Sequence, residues 1–134
     1  SAAQEILLIL TPDPSSLTDA YALIKVLHQR HRENRFTIVC NMVQDEFESL
    51  KLFKRLSDVC EKFLCVSLDY KGYVPLDRKL RIATKSQQLI VDTSPRSPSS
   101  FAIQAIGRKV SHLGDIDDVK GGMQFFWQQL VGVA

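Results

Sequence analysis

Five consecutive apolar residues, Ile6-Leu7-Leu8-Ile9-Leu10, run directly into Thr11-Pro12-Asp13-Pro14. A strand with one wet face alternates apolar and polar side chains, whereas an unbroken run suits a parallel strand covered on both sides. The two prolines remove backbone donors and bias the residues before them away from helix, so the strand ends there. Ser16 and Asp19 then stand at the S-x-x-D spacing that satisfies the free amides of a helix start. Leu17, Ala20, Tyr21, Ile24 and Leu27 recur at three- and four-residue steps, one buried helical stripe. The stretch from Glu5 to Lys25 is therefore strand, rigid polar turn, helix. Its turn lies at the carboxyl end of a buried strand, the edge where open parallel sheets bind ligands.

The same grammar repeats downstream. The first helix fades near His31–Asn34, its basic end, His28 to Arg32, complementing the helix dipole. Phe36-Thr37-Ile38-Val39-Cys40 reads as a second strand ending at Asn41-Met42-Val43, and Asp45 with Glu48 forms the next capping box. Phe47, Leu50, Phe53, Leu56, Cys60 and Phe63 mark the apolar stripe of a second helix, with Lys51, Lys54, Arg55 and Glu61 outside. Phe63 to Leu68 is expected to enter a third strand, followed by a loop from Asp69 to Asp77, where Asp77 caps a helix over about Arg78–Gln87. Leu89-Ile90-Val91 is expected to be extended. Ser97 or Ser99 caps a last helix reaching about His112.

Strands alternating with helices imply βαβ units and a parallel sheet. Three strong strands make a small doubly wound domain, and Ser1-Ala2-Ala3-Gln4 reads like a helix tail entering a central strand. The expected fold class is α/β, a partial doubly wound and mainly parallel sheet with flanking helices, the second half of a larger domain. Residues 1–113 form that part, 114–122 a linker, and 123–134 an amphipathic C-terminal helix.

The chemistry implied by composition is sparse. A net charge of +2 over 134 residues is too mild to imply nucleic acid, and no direct nucleic-acid contact is expected. Cys40, Cys60 and Cys65 lie in apolar surroundings without metal-ligand spacing, so buried reduced thiols are expected, as in a cytosolic protein, and no metal site. No Gly-rich phosphate loop follows a strand, and no catalytic set of Ser, His and Asp or paired carboxylates stands out, so no catalytic residue is assigned. Three polar turns do converge on one sheet edge: Thr11–Ser16, Asn41, and Pro75–Asp77.

Residues Thr11 to Lys25 resemble the corresponding segment of MinD/ParA-type P-loop ATPases, and more narrowly the flagellar-number regulators of the FleN/FlhG/YlxH family. The similarity continues through Val39-Cys40-Asn41-Met42-Val43, Arg55-Leu56, and Leu68-Asp69-Tyr70-Lys71-Gly72-Tyr73-Val74-Pro75-Leu76-Asp77. It reaches Arg96-Ser97 and Gln124-Phe125-Phe126, nearly the whole chain. The resemblance implies the second half of a MinD-like P-loop fold, with the phosphate loop, switch aspartate and magnesium ligands upstream of this segment. It implies that Asn41 contacts the adenine base, and that backbone around Val74 and Pro75, with Asp77, completes the base pocket. Asp13, Asp19 and Tyr21 would face the nucleotide and the dimer interface. ATP and Mg are implied for the intact ATPase, which would dimerise with a second copy. Its implied partners are flagellar switch components or a flagellar transcription activator, which the protein would antagonise as an antiactivator. The chain alone holds no triphosphate: base contacts contribute only about 1 kcal/mol net each, so weak ATP binding and no hydrolysis are expected of it.

Met123, Phe126, Trp127, Leu130 and Val131 fall on one helical stripe, which Phe125 widens, opposite Gln124, Gln128 and Gln129. This segment resembles the membrane-targeting helix of MinD-like proteins, implying a cytoplasmic protein held peripherally at the inner face of the cell membrane. Aromatic and Leu side chains yield roughly 1.5–3 kcal/mol each when fully buried, and interfacial helices use them so. Against this, Lys120 is outnumbered by Asp115, Asp117 and Asp118, so anionic lipid adds no attraction; packing back onto the domain is the alternative. For the chain as a whole, the competing expectation is a nucleotide-independent protein-interaction module.

Overall fold

The computed structural model describes residues 6–110. Three strands, β1 (Ile6–Leu10), β2 (Phe36–Val43) and β3 (Leu68–Pro75), pair in parallel in the order β1-β2-β3. They are linked by α1 (Pro14–His31) and α2 (Glu46–Leu64) and followed by α3 (Arg78–Lys85), the short α4 (Ile90–Thr93) and α5 (Pro98–Val110). Within the described sheet β2 is central and almost wholly buried, while β1 lies at an edge and only Leu10 is fully covered. The apolar run Ile6–Leu10 therefore has the composition of a central strand in an edge position.

The two faces of the sheet carry separate cores. Ile38, Cys40 and Val43 pack with Ile24 of α1 and with Leu52, Leu56, Cys60 and Leu64 of α2. On the opposite face, Val39 and Val74 pack with Leu80 and Ala83 of α3, Ile90 of α4, and Ile103 and Ile106 of α5. Alternation along β2 sends neighbouring residues to opposite cores, which is why this strand is apolar on both faces.

Several expectations are corrected here. Asp13, not Ser16, caps α1, with Pro14 at the first helical position; Ser16 turns back instead, its Oγ accepting the Thr11 N–H at 2.9 Å. The apolar stripe of α2 is rotated from the expected one: Ser49, Leu52, Leu56, Cys60 and Leu64 are buried, while Phe47 and Phe63 are 72% and 63% exposed. Helix α2 runs through Phe63 and Leu64, so the third strand begins only at Leu68 and includes most of the expected loop. Leu89 precedes a helical turn rather than lying in a strand with Ile90 and Val91. Cys65 is exposed, in the left-handed conformation that closes α2.

The reason β3 escaped notice is local. Asp69, Lys71 and Gly72 are poor strand formers, but β3 is an edge strand of the described sheet. There the Lys71 ammonium pairs with Asp69 at 3.3 Å. The register slips between Ile38↔Tyr70 and Val39↔Gly72, a bulge that admits one extra residue. Gly72 sits there at φ +137, a conformation that strains any side chain, and a Cβ on it would also press on Ile106 Cγ1 at 3.3 Å.

Candidate functional site

Because all three strands are parallel, Leu10, Val43 and Pro75 finish at the same edge of the sheet. Each strand there hands over to a helix through an aspartate. Asp13 Oδ1 accepts the Ser15 N–H at 3.0 Å and the Ser15 hydroxyl at 2.9 Å. Asp45 Oδ1 accepts the Glu48 N–H at 2.8 Å, and Glu48 reaches back to the Gln44 N–H at 3.2 Å. Asp77 Oδ1 accepts the Lys79 N–H at 2.9 Å. A short polar side chain satisfies amides that a helix start leaves without partners.

Between the ends of β2 and β3 lies a slot of about 210 Å³, lined by Asn41, Met42, Pro75, Leu76 and Asp77, with Leu80 and Arg81 of α3 beyond them. Pockets that enclose a drug-sized ligand measure roughly 300–1,000 Å³, so this slot is smaller than a typical small-molecule site. Asn41 is 3% exposed, and its Oδ1 accepts the Met42 N–H at 2.9 Å, which orients the amide. Met42 takes φ +62, the left-handed region that a side chain occupies at a cost. Its side chain is thereby half exposed at the slot rather than buried in the sheet. The Leu76 N–H donates to Val43 O at 2.8 Å and ties the two strand ends together.

Asp77 does more than cap α3. Its Oδ2 accepts both the Ser99 N–H at 3.1 Å and the Ser99 hydroxyl at 2.6 Å, linking the starts of α3 and α5. Partial burial pushes this carboxyl upward, but the Ser99 hydroxyl, the Ser99 N–H, the Lys79 N–H and the Ser97 hydroxyl outweigh it and leave it below the usual carboxylate range. Asp13 is likewise held low, by the Ser15 N–H and hydroxyl. Burial raises the Cys40 thiol and pushes Cys60 up to about 11, so both stay protonated and unreactive.

The structure thus brings Asn41, Pro75 and Asp77 to one slot. Val74 lies directly beneath, fully buried in the α3–α5 core, with only its backbone continuous with the rim. Asp13, Asp19 and Tyr21 are not in this slot: Asp13 and Asp19 are exposed, and Tyr21 packs against the α1/α2 core. A second hollow, about 380 Å³, opens nearer to them between Pro12 and the start of α2 at Asp45, Phe47 and Lys51. Met123, Phe125, Phe126, Trp127, Leu130 and Val131 lie outside the described residues. Met42 and Ser99 were not picked out from sequence. Ser99 was visible as a cap candidate, but its partner is 22 residues away.

Among the described residues no group of His, Cys, Asp and Glu converges to hold a metal ion, and no helix is long and apolar enough to cross a membrane. An open parallel sheet, helices on both faces and a slot at the carboxyl edge define an α/β domain, part of a P-loop-like fold. No protein-family model matches the chain. Over 130 residues, 97% of its length, it is 39% identical to Antiactivator FleN of Pseudomonas aeruginosa. It is also 28% identical over 135 aligned positions to Flagellum site-determining protein YlxH of Helicobacter pylori, with 98% of the chain covered. The chain belongs to the FleN/FlhG family and corresponds to its C-terminal part. It spans 46% and 45% of the length of these two relatives, somewhat less than half.

Proposed function

We propose that this chain contributes the base-binding edge of an ATP-dependent regulator of flagellar number and placement. The observation that carries the reading is the convergence of Asn41, Pro75 and Asp77 on one small slot at the carboxyl edge of β2 and β3. That edge is where parallel α/β sheets take ligands, and relatives covering nearly the whole chain are named for flagellar antiactivation and site determination. In this reading the slot takes adenine. Triphosphate and magnesium are held by parts of a longer polypeptide outside this chain, consistent with the absence of a Gly-rich loop from the sequence.

Asp13, Asp19 and Tyr21 belong, in the same reading, to the face on which two copies meet around ATP. The stripe Met123, Phe125, Phe126, Trp127, Leu130 and Val131 meets the membrane. One short helix binds a bilayer weakly, but two carried by a dimer gain avidity without new contacts, so ATP-driven dimerisation would switch membrane attachment. The protein partners are flagellar switch components or the flagellar transcription activator.

The test is an ATP titration of the full-length polypeptide carrying this chain, following particle mass and pelleting with liposomes. Doubling of mass and ATP-dependent pelleting are expected. No response in either removes the ATPase reading and leaves a nucleotide-independent interaction module. Replacing Phe126 and Trp127 with Glu should abolish pelleting with the melting temperature unchanged; a fall of many degrees would instead mean that the segment packs against its own domain.

A further inference from the structure

We propose that Ser99 is a positioning residue for the base slot, acting at a distance through the carboxylate of Asp77. The proposal rests on the reading of that slot as a purine site and goes beyond it in naming what holds the rim in shape.

The rim is the short segment Pro75-Leu76-Asp77. Pro75 has no N–H with which to anchor itself. At one end the segment is tied by the Leu76 N–H to Val43 O at 2.8 Å, which fixes it to β2. At the other end Asp77 O accepts the Leu80 and Arg81 N–H groups at 3.1 and 3.2 Å, and the Asp77 side-chain oxygens accept from Lys79 N, Ser99 N and Ser99 Oγ. The bonds to Lys79, Leu80 and Arg81 are local and hold the rim only to the start of α3. The two Ser99 bonds hold it to a second element, because α5 is packed along β3 through Ile103 and Ile106.

Ser99 is suited to this and to little else. It is fully buried, so its hydroxyl has no water to turn to. It occupies the first turn of α5, where backbone amides lack helical partners and the helix end favours negative charge. Its neighbour Ser97 supplies the ordinary cap, its Oγ accepting the Ser100 N–H at 3.3 Å. Ser99 is thus spare to the capping of its own helix and is used across the fold. The 2.6 Å hydroxyl bond to a carboxylate is of the short, charge-assisted kind.

Asp77 is correspondingly committed. Its carboxylate is engaged on both oxygens before any ligand arrives, so its service to a bound base is to set the position of the Pro75–Leu76 backbone. Discrimination between purines that differ in their exocyclic groups depends on hydrogen-bonding groups held in fixed places. A rim loosened at its Asp77 end would lose both affinity and selectivity.

The experiment uses the full-length polypeptide as wild type, Ser99→Ala and Ser99→Thr, titrated with ATP and with GTP. Wild type should prefer ATP. Ser99→Ala should weaken ATP binding about tenfold, the factor one charge-assisted hydrogen bond commands, and should narrow the ATP-to-GTP ratio. Ser99→Thr, which keeps the hydroxyl, should restore both. Amide exchange at Leu76 to Lys79 should quicken in Ser99→Ala and return to normal in Ser99→Thr. If wild type binds ATP selectively and Ser99→Ala matches it, the proposal is overturned while the slot stands. If Ser99→Ala weakens ATP and GTP equally, Ser99 is merely structural and the proposal is likewise overturned. If wild type shows no purine binding, the slot itself has been misread and the proposal falls with it.

Discussion

Asp13 and Asp77 occupy equivalent places, each following a parallel strand and starting a helix at the same sheet edge, yet they are wired differently. Asp13 is exposed, and its side chain bonds to Ser15, two residues on. Asp77 bonds locally to Lys79 and also across the fold to Ser99. The first turn is self-contained; the second is part of the packing between α3 and α5. One residue type in one position can therefore serve as a local cap or as a clasp, and the difference lies in what the fold brings opposite it.

The comparison is most easily broken by substitution. Asp77→Ala removes three accepted bonds and leaves the buried Ser99 hydroxyl without its acceptor, so a loss of about 2–3 kcal/mol is expected, read as a lower urea midpoint of the 134-residue chain. Ser99→Ala removes one partner of the same cluster and should cost about 1–2 kcal/mol in the same measurement. The double variant should lose less than the sum, since both act on one bond set. Asp13→Ala should move the midpoint least of the three. A shift equal to that of Asp77→Ala would erase the distinction drawn between the two turns.

Acid sharpens the contrast. Both carboxylates titrate below the ordinary value of 3.8 in the folded chain. A group with a lowered folded pKa contributes stability above its unfolded value and loses it as the pH falls through the folded one. The chain should therefore weaken as the pH drops below about 4, and Asp77→Asn should reduce that dependence more than Asp13→Asn. Thiol labelling gives the smallest readout. In native buffer Cys65 should react with a disulfide reagent ahead of buried Cys40 and Cys60. Asp77→Ala should speed the buried pair in proportion to the stability lost, and Asp13→Ala should leave them slow.

The same contrast marks what could be read from the chain. Features set by neighbours in sequence were legible: the β1 and β2 strands, the Asp45–Glu48 cap and the Asp77 cap stand at the expected residues, although β1, expected to be central, lies at an edge of the described sheet and β2 takes the centre. The α2 stripe was misjudged because Phe47 and Phe63 are apolar yet exposed, with Lys51 and Lys62 lying over their rings at 5.5 and 5.3 Å. Ser49, polar yet fully buried, is accommodated by a 2.8 Å bond to the Tyr70 hydroxyl. Hydropathy cannot distinguish such cases, since burial there depends on partners elsewhere in the fold. Convergence of Asn41 and Asp77 followed from parallel topology alone, whereas the Ser99 clasp needed the docking of α5.

The all-parallel pairing also governs how this chain must fold. Ile6 pairs with Phe36 and Phe36 with Leu68, so roughly thirty residues must be closed into a loop before either pairing forms. Among the described residues no hairpin offers an early, cheap nucleus, and β2 must recruit both neighbours through helices α1 and α2. Folding should be slower than for a helical bundle of equal size. Meanwhile the Ile6–Leu10 edge, unpaired among the described residues, is open to other chains, a route to aggregation that co-translational or dilute refolding would limit.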